Sequence, residues 1–280
     1  MNSSNNQTVY AVCLGGLGNR LYSLIGGLYW AQKYNCSFNI VWSPSDECDV
    51  EYTDLFSTHT NGVISLSRLK HILFKSTDLT VAGFLQQKKA LQNDIFLRCI
   101  KDRNILNNIR DPDHLQSFNG SLIYNNIGLP LYIGEHTAVG LLNCFKINND
   151  IVERVTTFIK QNNITENDTG FIVRKTDAGS IVNTEKIFNY IKDNTSTRFY
   201  ITSDSKEVEI KFNKNKNVLC YPKLHYVVFN KNKEILYRSK QSVIEAFISL
   251  LIASKTHIID ITSNKSSFTK IALLYKNIKF

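Results

Sequence analysis

The chain has 280 residues, a formal net charge of +9 at pH 7 and a hydrophobic content of 43%. This composition excludes an intrinsically disordered protein, and the length predicts either one large α/β domain or two smaller ones. No apolar run is long enough to span a membrane, and the opening MNSSNNQT lacks the basic and apolar regions of a signal peptide. We therefore expect a soluble cytoplasmic protein without stable membrane insertion.

The positive charge indicates an anionic partner. Its lysines are spread through polar loops, such as 211–216 and 231–233, and do not alternate with aromatic residues as in many nucleic-acid-binding proteins. A solvated basic surface or a phosphate-bearing small molecule therefore explains the charge, and no nucleic-acid partner is expected. The six cysteines form no CxxC pair, and the six histidines lack metal-site spacing. We expect neither a metal site nor a disulfide framework.

The strongest local pattern is AVCLGGLGNRLYSLIGGLYW at 11–30. An apolar strand at 9–14 enters a turn and then a helix with apolar residues at helical spacing. The turn contains three glycines, Gly15, Gly16 and Gly18. Glycines let backbone amides approach a ligand, and a helix N-terminus favours negative charge. The turn is predicted either to bind an anion or nucleotide, with Asn19 and Arg20 beside it, or only to permit tight strand–helix packing.

A strand at 37–42 closes a β-α-β unit, whereas 64–126 has a weak pattern with a helix-like stretch at 85–97. A strand at 130–134 then leads into 134–150, which we interpret as a connection between domains. The second half predicts strands at 169–174, 198–203, 218–221 and 257–262, and helices at 151–161, 184–193, 206–212, 242–254 and 266–275. This alternation predicts two doubly wound parallel sheets facing a cleft, in domains 1–147 and 148–280.

Polar clusters follow three strands of the second half. They are Arg174-Lys175-Thr176-Asp177, Ser203-Asp204-Ser205 and the run from Ser263 to Ser267. In open parallel sheets, ligands bind beyond the carboxyl ends of the strands, so these clusters together predict a diphosphate site. Each also has a structural explanation: Arg174 and Asp177 could form a surface ion pair, and Asp204 and Ser266 could cap helices.

Four ordered stretches resemble the fucosyltransferase superfamily, which includes nodulation, α1,6- and protein O-fucosyltransferases. They are the segment from GGLGNR to YTDLF at 15–56, IVRKTD at 172–177, FYITSDSKEV at 199–208 and SLLIASKTHIIDITSNKSSFTKIALLY at 249–275. The resemblance implies a GT-B-like fold with two Rossmann-like domains. It also implies a metal-independent, inverting glycosyltransferase that needs no cofactor and transfers L-fucose from GDP-fucose to a glycan acceptor, with the donor bound in the second domain and the acceptor in the first.

The resemblance also implies roles for particular residues. Arg174 is similar to the arginine that binds the donor β-phosphate and helps the leaving group depart. The candidate catalytic residues are Arg174, Asp177 and Asn19. The candidate donor-binding residues are Gly15, Gly16, Gly18, Asn19, Arg20, Arg174, Asp204, Ser266, Ser267 and Phe268.

Three positions depart from the family pattern. Ile172 replaces a histidine, Ser249 stands near an aspartate that often recognises guanine, and Val182 stands near a glutamate taken as the base in some members. The base therefore stays open between Asp177 and Glu185. Another GDP- or UDP-linked deoxysugar as donor, and a non-catalytic descendant that binds a glycan or nucleotide, are the alternatives.

Overall fold

The computed structural model of the protein describes residues 7–65, 67–69, 79–83, 105–107, 121–125, 133–175, 184–230, 235–259 and 266–279. The chain divides into two compact units, the first comprising Met1–Pro44 and Glu51–Lys146 and the second comprising Ser45–Val50 and Ile147–Phe280. The predicted helix at 85–97 and most of the predicted strand at 130–134 lie outside the described residues. The assignment of acceptor and donor binding to different units stays a prediction.

In the described part of the first unit, parallel strands form one sheet in the order β3-β2-β1-β6-β4-β5. The strands are β1 (Thr8–Cys13), β2 (Ser37–Trp42), β3 (Val63–Ile64), β4 (Leu79–Gly83), β5 (Ile105–Asn107) and β6 (Ser121–Asn125). The helices are α1 (Leu17–Lys33), α2 (Tyr52–Leu55) and α3 (Glu135–Asn143). Strand β1 lies between β2 and β6 and is buried from Val9 to Cys13, which explains its apolar sequence.

Helix α1 packs closely on β1 because Gly27 leaves no side chain between them. A Cβ atom added at Gly27 would lie 2.5 Å from the Cβ atom of Ala11. We therefore expect Gly27→Ala to lower the free energy of unfolding by about 1–3 kcal/mol, measured by urea denaturation. Gly140→Ala is the matched control, because Gly140 is also helical and no described residue lies within 4 Å of such an atom. The control should leave stability unchanged or raise it by up to about 1 kcal/mol, and equal losses in both variants would contradict this packing account.

In the described part of the second unit, a parallel sheet has the strand order β12-β7-β8-β9, and β10 and β11 form an antiparallel hairpin. The strands are β7 (Thr169–Val173), β8 (Phe199–Ser203), β9 (Val218–Leu219), β10 (Val228–Asn230), β11 (Ile235–Tyr237) and β12 (His257–Ile258). The helices are α4 (Asn149–Gln161), α5 (Thr184–Asp193), α6 (Lys206–Phe212), α7 (Lys240–Ala253) and α8 (Ser267–Tyr275).

The core of the second unit lies around the two central strands. Every residue of β7 and β8 is buried, and the apolar side chains of α5 and α6 pack on them. Helix α7 is buried from Ser242 to Ala253 except at Ala246. Because α7 is buried on nearly all sides, its sequence is mainly apolar and lacks the one-sided pattern of a surface helix.

Several predicted elements are confirmed: β2, α5 and α6 have the predicted bounds. The segment 134–150, interpreted as a connection between domains, contains α3 at Glu135–Asn143, and the division between the two units falls within it, after Lys146. The helix α3 is short, and Gly140 within it has a low helix propensity, so its sequence predicts a helix only weakly. The hairpin of β10 and β11 was not predicted.

Candidate functional site

Arg174 directly follows β7, at the point where the strand order of the second sheet reverses. From β7 the chain proceeds to β8 and β9 on one side, and it returns through α7 to β12 on the other side of β7. Ligands of open parallel sheets bind at such a switch point, beyond the carboxyl ends of the strands. Topology therefore places Arg174 where a ligand of this unit is expected.

Arg174 is partly buried and has charged neighbours of both signs. Burial lowers the pKa of its guanidinium most, the carboxylate of Asp204 raises it, and the guanidinium of Arg238 lowers it further. An arginine stays protonated despite such shifts. The site thus holds a permanent cation that has lost part of its hydration, and such a cation interacts strongly with an anionic ligand.

Asp204 connects the ends of the two central strands. Its Oδ1 atom accepts a hydrogen bond of 2.8 Å from the backbone N–H of Lys175, the residue after Arg174. The helix-capping alternative does not apply to Asp204, because Ser205 caps α6 by accepting a hydrogen bond from the backbone N–H of Val208. Asp177 lies outside the described residues.

The serines before α8 have different settings. Ser266 is buried, and its hydroxyl caps α8 by accepting a hydrogen bond of 3.3 Å from the backbone N–H of Thr269. Ser267 and Phe268 are partly buried in the first turn of α8. The capping explanation therefore holds for the Ser266 side chain. Ser267 and the helix amides are the groups of this segment that suit an anion.

The glycine-rich turn belongs to the first unit. Gly15 has a φ of 76°, a left-handed conformation that favours glycine. Gly16 is the N-cap of α1, and no described atom lies within 4 Å of a Cβ added there. Tight packing is thus the role of Gly27, whereas no described residue crowds Gly16 beside the helix N-terminus. Gly18 is buried and Asn19 is partly buried in the first turn of α1.

Arg20 holds this turn in place. Its side chain is 0% exposed, so it does not reach a ligand in this conformation. The guanidinium donates hydrogen bonds of 2.9 Å to the carbonyl oxygens of Gly15 and Ser43, and it lies 4.8 Å from the ring centre of Trp42. Arg20 therefore joins the glycine-rich turn to the end of β2, and its effect on a ligand passes through the position of the turn.

We expect Arg20→Lys to lower the free energy of unfolding by about 2 kcal/mol, because a lysine cannot bridge two buried carbonyl groups with a planar fork. Urea denaturation measures this loss. The matched control is Arg154→Lys in the second unit, where the guanidinium donates to one hydroxyl group, that of Tyr221. The control should lose less stability, and an equal or larger loss in Arg154→Lys would contradict the role given to Arg20.

A buried ion pair lies beside the site and was not predicted. Nζ of Lys223 lies 2.6 Å from Oε1 of Glu209, and both side chains are almost fully buried. Glu209 accepts hydrogen bonds from the backbone N–H of Ser203 at 2.7 Å and from the hydroxyl of Tyr226 at 2.7 Å. Lys223 donates to the carbonyl oxygen of Ser203. The ion pair thus forms hydrogen bonds with both the N–H and the carbonyl oxygen of Ser203, the residue before Asp204.

Arg238 is the residue of the site that the sequence did not indicate. It lies between β11 and Ser239, the N-cap of α7, in a stretch without recognisable strand or motif signals. Its charge acts on Arg174. A basic residue directly before a helix cap was the available signal, but it does not by itself indicate a binding site.

In the described part of the chain, no helix is long and apolar enough to cross a membrane. Among the same residues, no group of three or more histidine, cysteine, aspartate or glutamate side chains has an arrangement that could hold a metal ion.

The chain shares its fold with solved structures of fucosyltransferases. The fucosyltransferase NodZ from Bradyrhizobium has a TM-score of 0.62 at 15% identity, over 95% of this chain and 91% of that one. NodZ α-1,6-fucosyltransferase soaked with GDP-fucose has a TM-score of 0.63 at 14% identity, over 96% and 92% of the two chains. A mutant of Arabidopsis thaliana FUT1 in complex with GDP has a TM-score of 0.57 at 11% identity, over 100% of this chain and 70% of that one.

No protein-family model and no curated protein sequence matches the chain. The structural similarities cover nearly the whole chain, but the sequence identities are too low for sequence comparison alone to detect them. They confirm the predicted GT-B-like α/β fold, which the chain shares with these fucosyltransferases.

Proposed function

We propose that the protein is a glycosyltransferase that transfers L-fucose from GDP-fucose to a glycan acceptor, with inversion at the sugar and without a metal ion. The observation that carries this proposal is Arg174 at the switch point of the second sheet, beside Asp204 and Arg238, in a chain with the fold of NodZ. NodZ was solved after soaking with GDP-fucose. The similarity of fold to NodZ supports a nucleotide sugar as donor. The arginine site supports a reaction in which a diphosphate departs.

In the proposed reaction, a hydroxyl oxygen of the acceptor attacks the anomeric carbon of fucose as the bond to the diphosphate breaks. Negative charge then increases on the departing diphosphate. Arg174 is fixed at the end of a buried strand, so its guanidinium stabilises this charge without reorganising. The first-turn amides of α8 and the Ser267 hydroxyl would hold further phosphate oxygens.

The acceptor hydroxyl must lose a proton as it attacks, and Asp177 and Glu185 are the candidate bases. Glu185 lies exposed in the first turn of α5, where a carboxylate is accessible to an incoming acceptor. Replacement of each by its amide distinguishes them: loss of turnover with retained GDP binding in one variant assigns the base.

The burial of Ser249 favours the alternative that the donor is another nucleotide sugar. Ser249 is fully buried, its hydroxyl donates to the carbonyl oxygen of Glu245, and its own carbonyl oxygen accepts from Tyr200. Its side chain therefore cannot recognise a nucleotide base in this conformation. Recognition of guanine must come from other groups, and a UDP- or GDP-linked deoxysugar other than GDP-fucose is the second candidate.

Thermal unfolding with GDP, UDP and dTDP tests the donor base. A nucleotide that binds only the folded state stabilises it by about 2.7 kcal/mol when its free concentration is 100 times its Kd. We expect GDP to raise the Tm and the other two nucleotides to raise it less. A rise in Tm with UDP alone would make a UDP-linked sugar the proposed donor in place of GDP-fucose. Nucleotide binding without hydrolysis or transfer of any nucleotide sugar would favour the non-catalytic alternative.

A further inference from the structure

The short segment Ser45–Val50 belongs to the second unit, although its neighbours in sequence belong to the first. It is a tight turn in which Ser45 and Cys48 exchange backbone hydrogen bonds of 3.2 and 2.8 Å. Cys48 and Val50 are buried. The acidic residues of this turn, Asp46, Glu47 and Asp49, have no part in the function proposed above.

This turn holds the backbone of Arg238 from both sides. The N–H of Arg238 donates to the carbonyl oxygen of Asp46 at 2.8 Å, and the carbonyl oxygen of Arg238 accepts from the N–H of Asp49 at 3.1 Å. The hydroxyl of the preceding Tyr237 donates to Oδ2 of Asp49 at 2.9 Å. Ser239, which follows Arg238, caps α7 by accepting from the N–H of Ser242. Arg238 is therefore fixed between two secondary-structure elements.

Arg238 directly precedes the N-cap of α7, a helix that packs on β7 and β8. Its positive charge repels that of Arg174 and lowers the pKa of Arg174. Asp204 contributes a single negative charge next to Arg174. A diphosphate carries more than one negative charge and offers several oxygens, so it can bind both arginines and remove their repulsion.

We propose that Arg238 is a second diphosphate-binding residue of the site and that the Ser45–Val50 turn positions it beside Arg174. This inference rests on the proposed function for the identity of the ligand as a nucleoside diphosphate. Arg174 and Arg238 bind oxygens of the same diphosphate from different directions. A segment from the first half of the sequence thereby contributes to binding through the backbone of a residue in the second half.

Titration calorimetry with inorganic pyrophosphate and with GDP tests this inference. Arg238→Ala leaves the backbone bonds to Asp46 and Asp49 in place, so the turn is retained and we expect a Kd for pyrophosphate that is about 10- to 100-fold higher. Arg238→Lys should recover part of the affinity. Tyr237→Phe removes only the bond to Asp49 and should raise the Kd by less than Arg238→Ala does, with little change in Tm. The control is Lys214→Ala, which removes the same charge from the turn after α6.

Each outcome decides the inference. An unchanged pyrophosphate Kd in Arg238→Ala overturns it, whether or not the enzyme transfers fucose. A raised Kd in Arg238→Ala, with wild-type affinity in Lys214→Ala, supports it even if GDP-fucose gives no turnover; in that case only the proposed function fails. A wild-type protein that binds neither pyrophosphate nor GDP contradicts both.

Discussion

Arg174→Ala is expected to lower the rate of sugar transfer by at least about 10²- to 10³-fold while the protein keeps its fold. The reason is that the guanidinium, at the switch point after β7, stabilises charge that develops on the diphosphate as the sugar leaves. Initial rates of GDP release from GDP-fucose, with acceptor present, measure the effect. The binding constant for GDP should weaken much less than the rate falls, because the interaction is strongest in the transition state.

Two further variants control for loss of charge alone. Arg174→Lys retains the positive charge but not the planar fork, so its rate should lie between those of the wild type and Arg174→Ala. Lys214→Ala removes a charge from the turn after α6 and should keep the wild-type rate. Full activity in Arg174→Ala would contradict the catalytic role given to this residue.

Breaking the buried ion pair of Glu209 and Lys223 should have the largest effect on stability. We expect Glu209→Leu or Lys223→Met alone to lower the free energy of unfolding by about 3–5 kcal/mol, because each leaves its partner as an uncompensated buried charge. Urea denaturation followed by circular dichroism measures these losses. The double variant should be more stable than either single variant, since it leaves no buried charge behind.

His225→Ala is the matched control for the ion pair. The His225 side chain is 47% exposed and its Nδ1 atom lies 3.2 Å from Oε1 of Glu245, so this contact should contribute at most about 1 kcal/mol. A double variant of Glu209 and Lys223 that loses the sum of the two single losses would show that the two charges do not depend on each other.

Strand-end clusters and helix caps were readable from the sequence because they depend on neighbouring residues. Arg174 and Asp204 follow apolar runs that become β7 and β8, and the parallel pairing of these strands brings the two residues together. The sequence also indicated the cap at Ser266, as one of two alternatives. In these cases local pattern and final structure agree.

Other features depend on contacts between distant segments, which local patterns do not contain. Arg20 has the position of a ligand-binding residue in the sequence, but Ser43 and Trp42 bury it. Arg238 joins the site through a turn about 190 residues earlier in the chain, as the Tyr237–Asp49 bond shows with its separation of 188 residues. Ser249 stands in an apolar stretch of sequence, and its full burial in α7 keeps its side chain from a ligand in this conformation.

The most direct test of the central claim is mass spectrometry of the products after incubation with GDP-fucose and a panel of glycan acceptors. We predict that the wild-type protein releases GDP and yields a glycan carrying one added fucose, with a chelator present or absent, and that Arg174→Ala yields neither above background. Transfer from a UDP- or dTDP-linked sugar, with none from GDP-fucose, would contradict the account, as would equal product from wild type and Arg174→Ala.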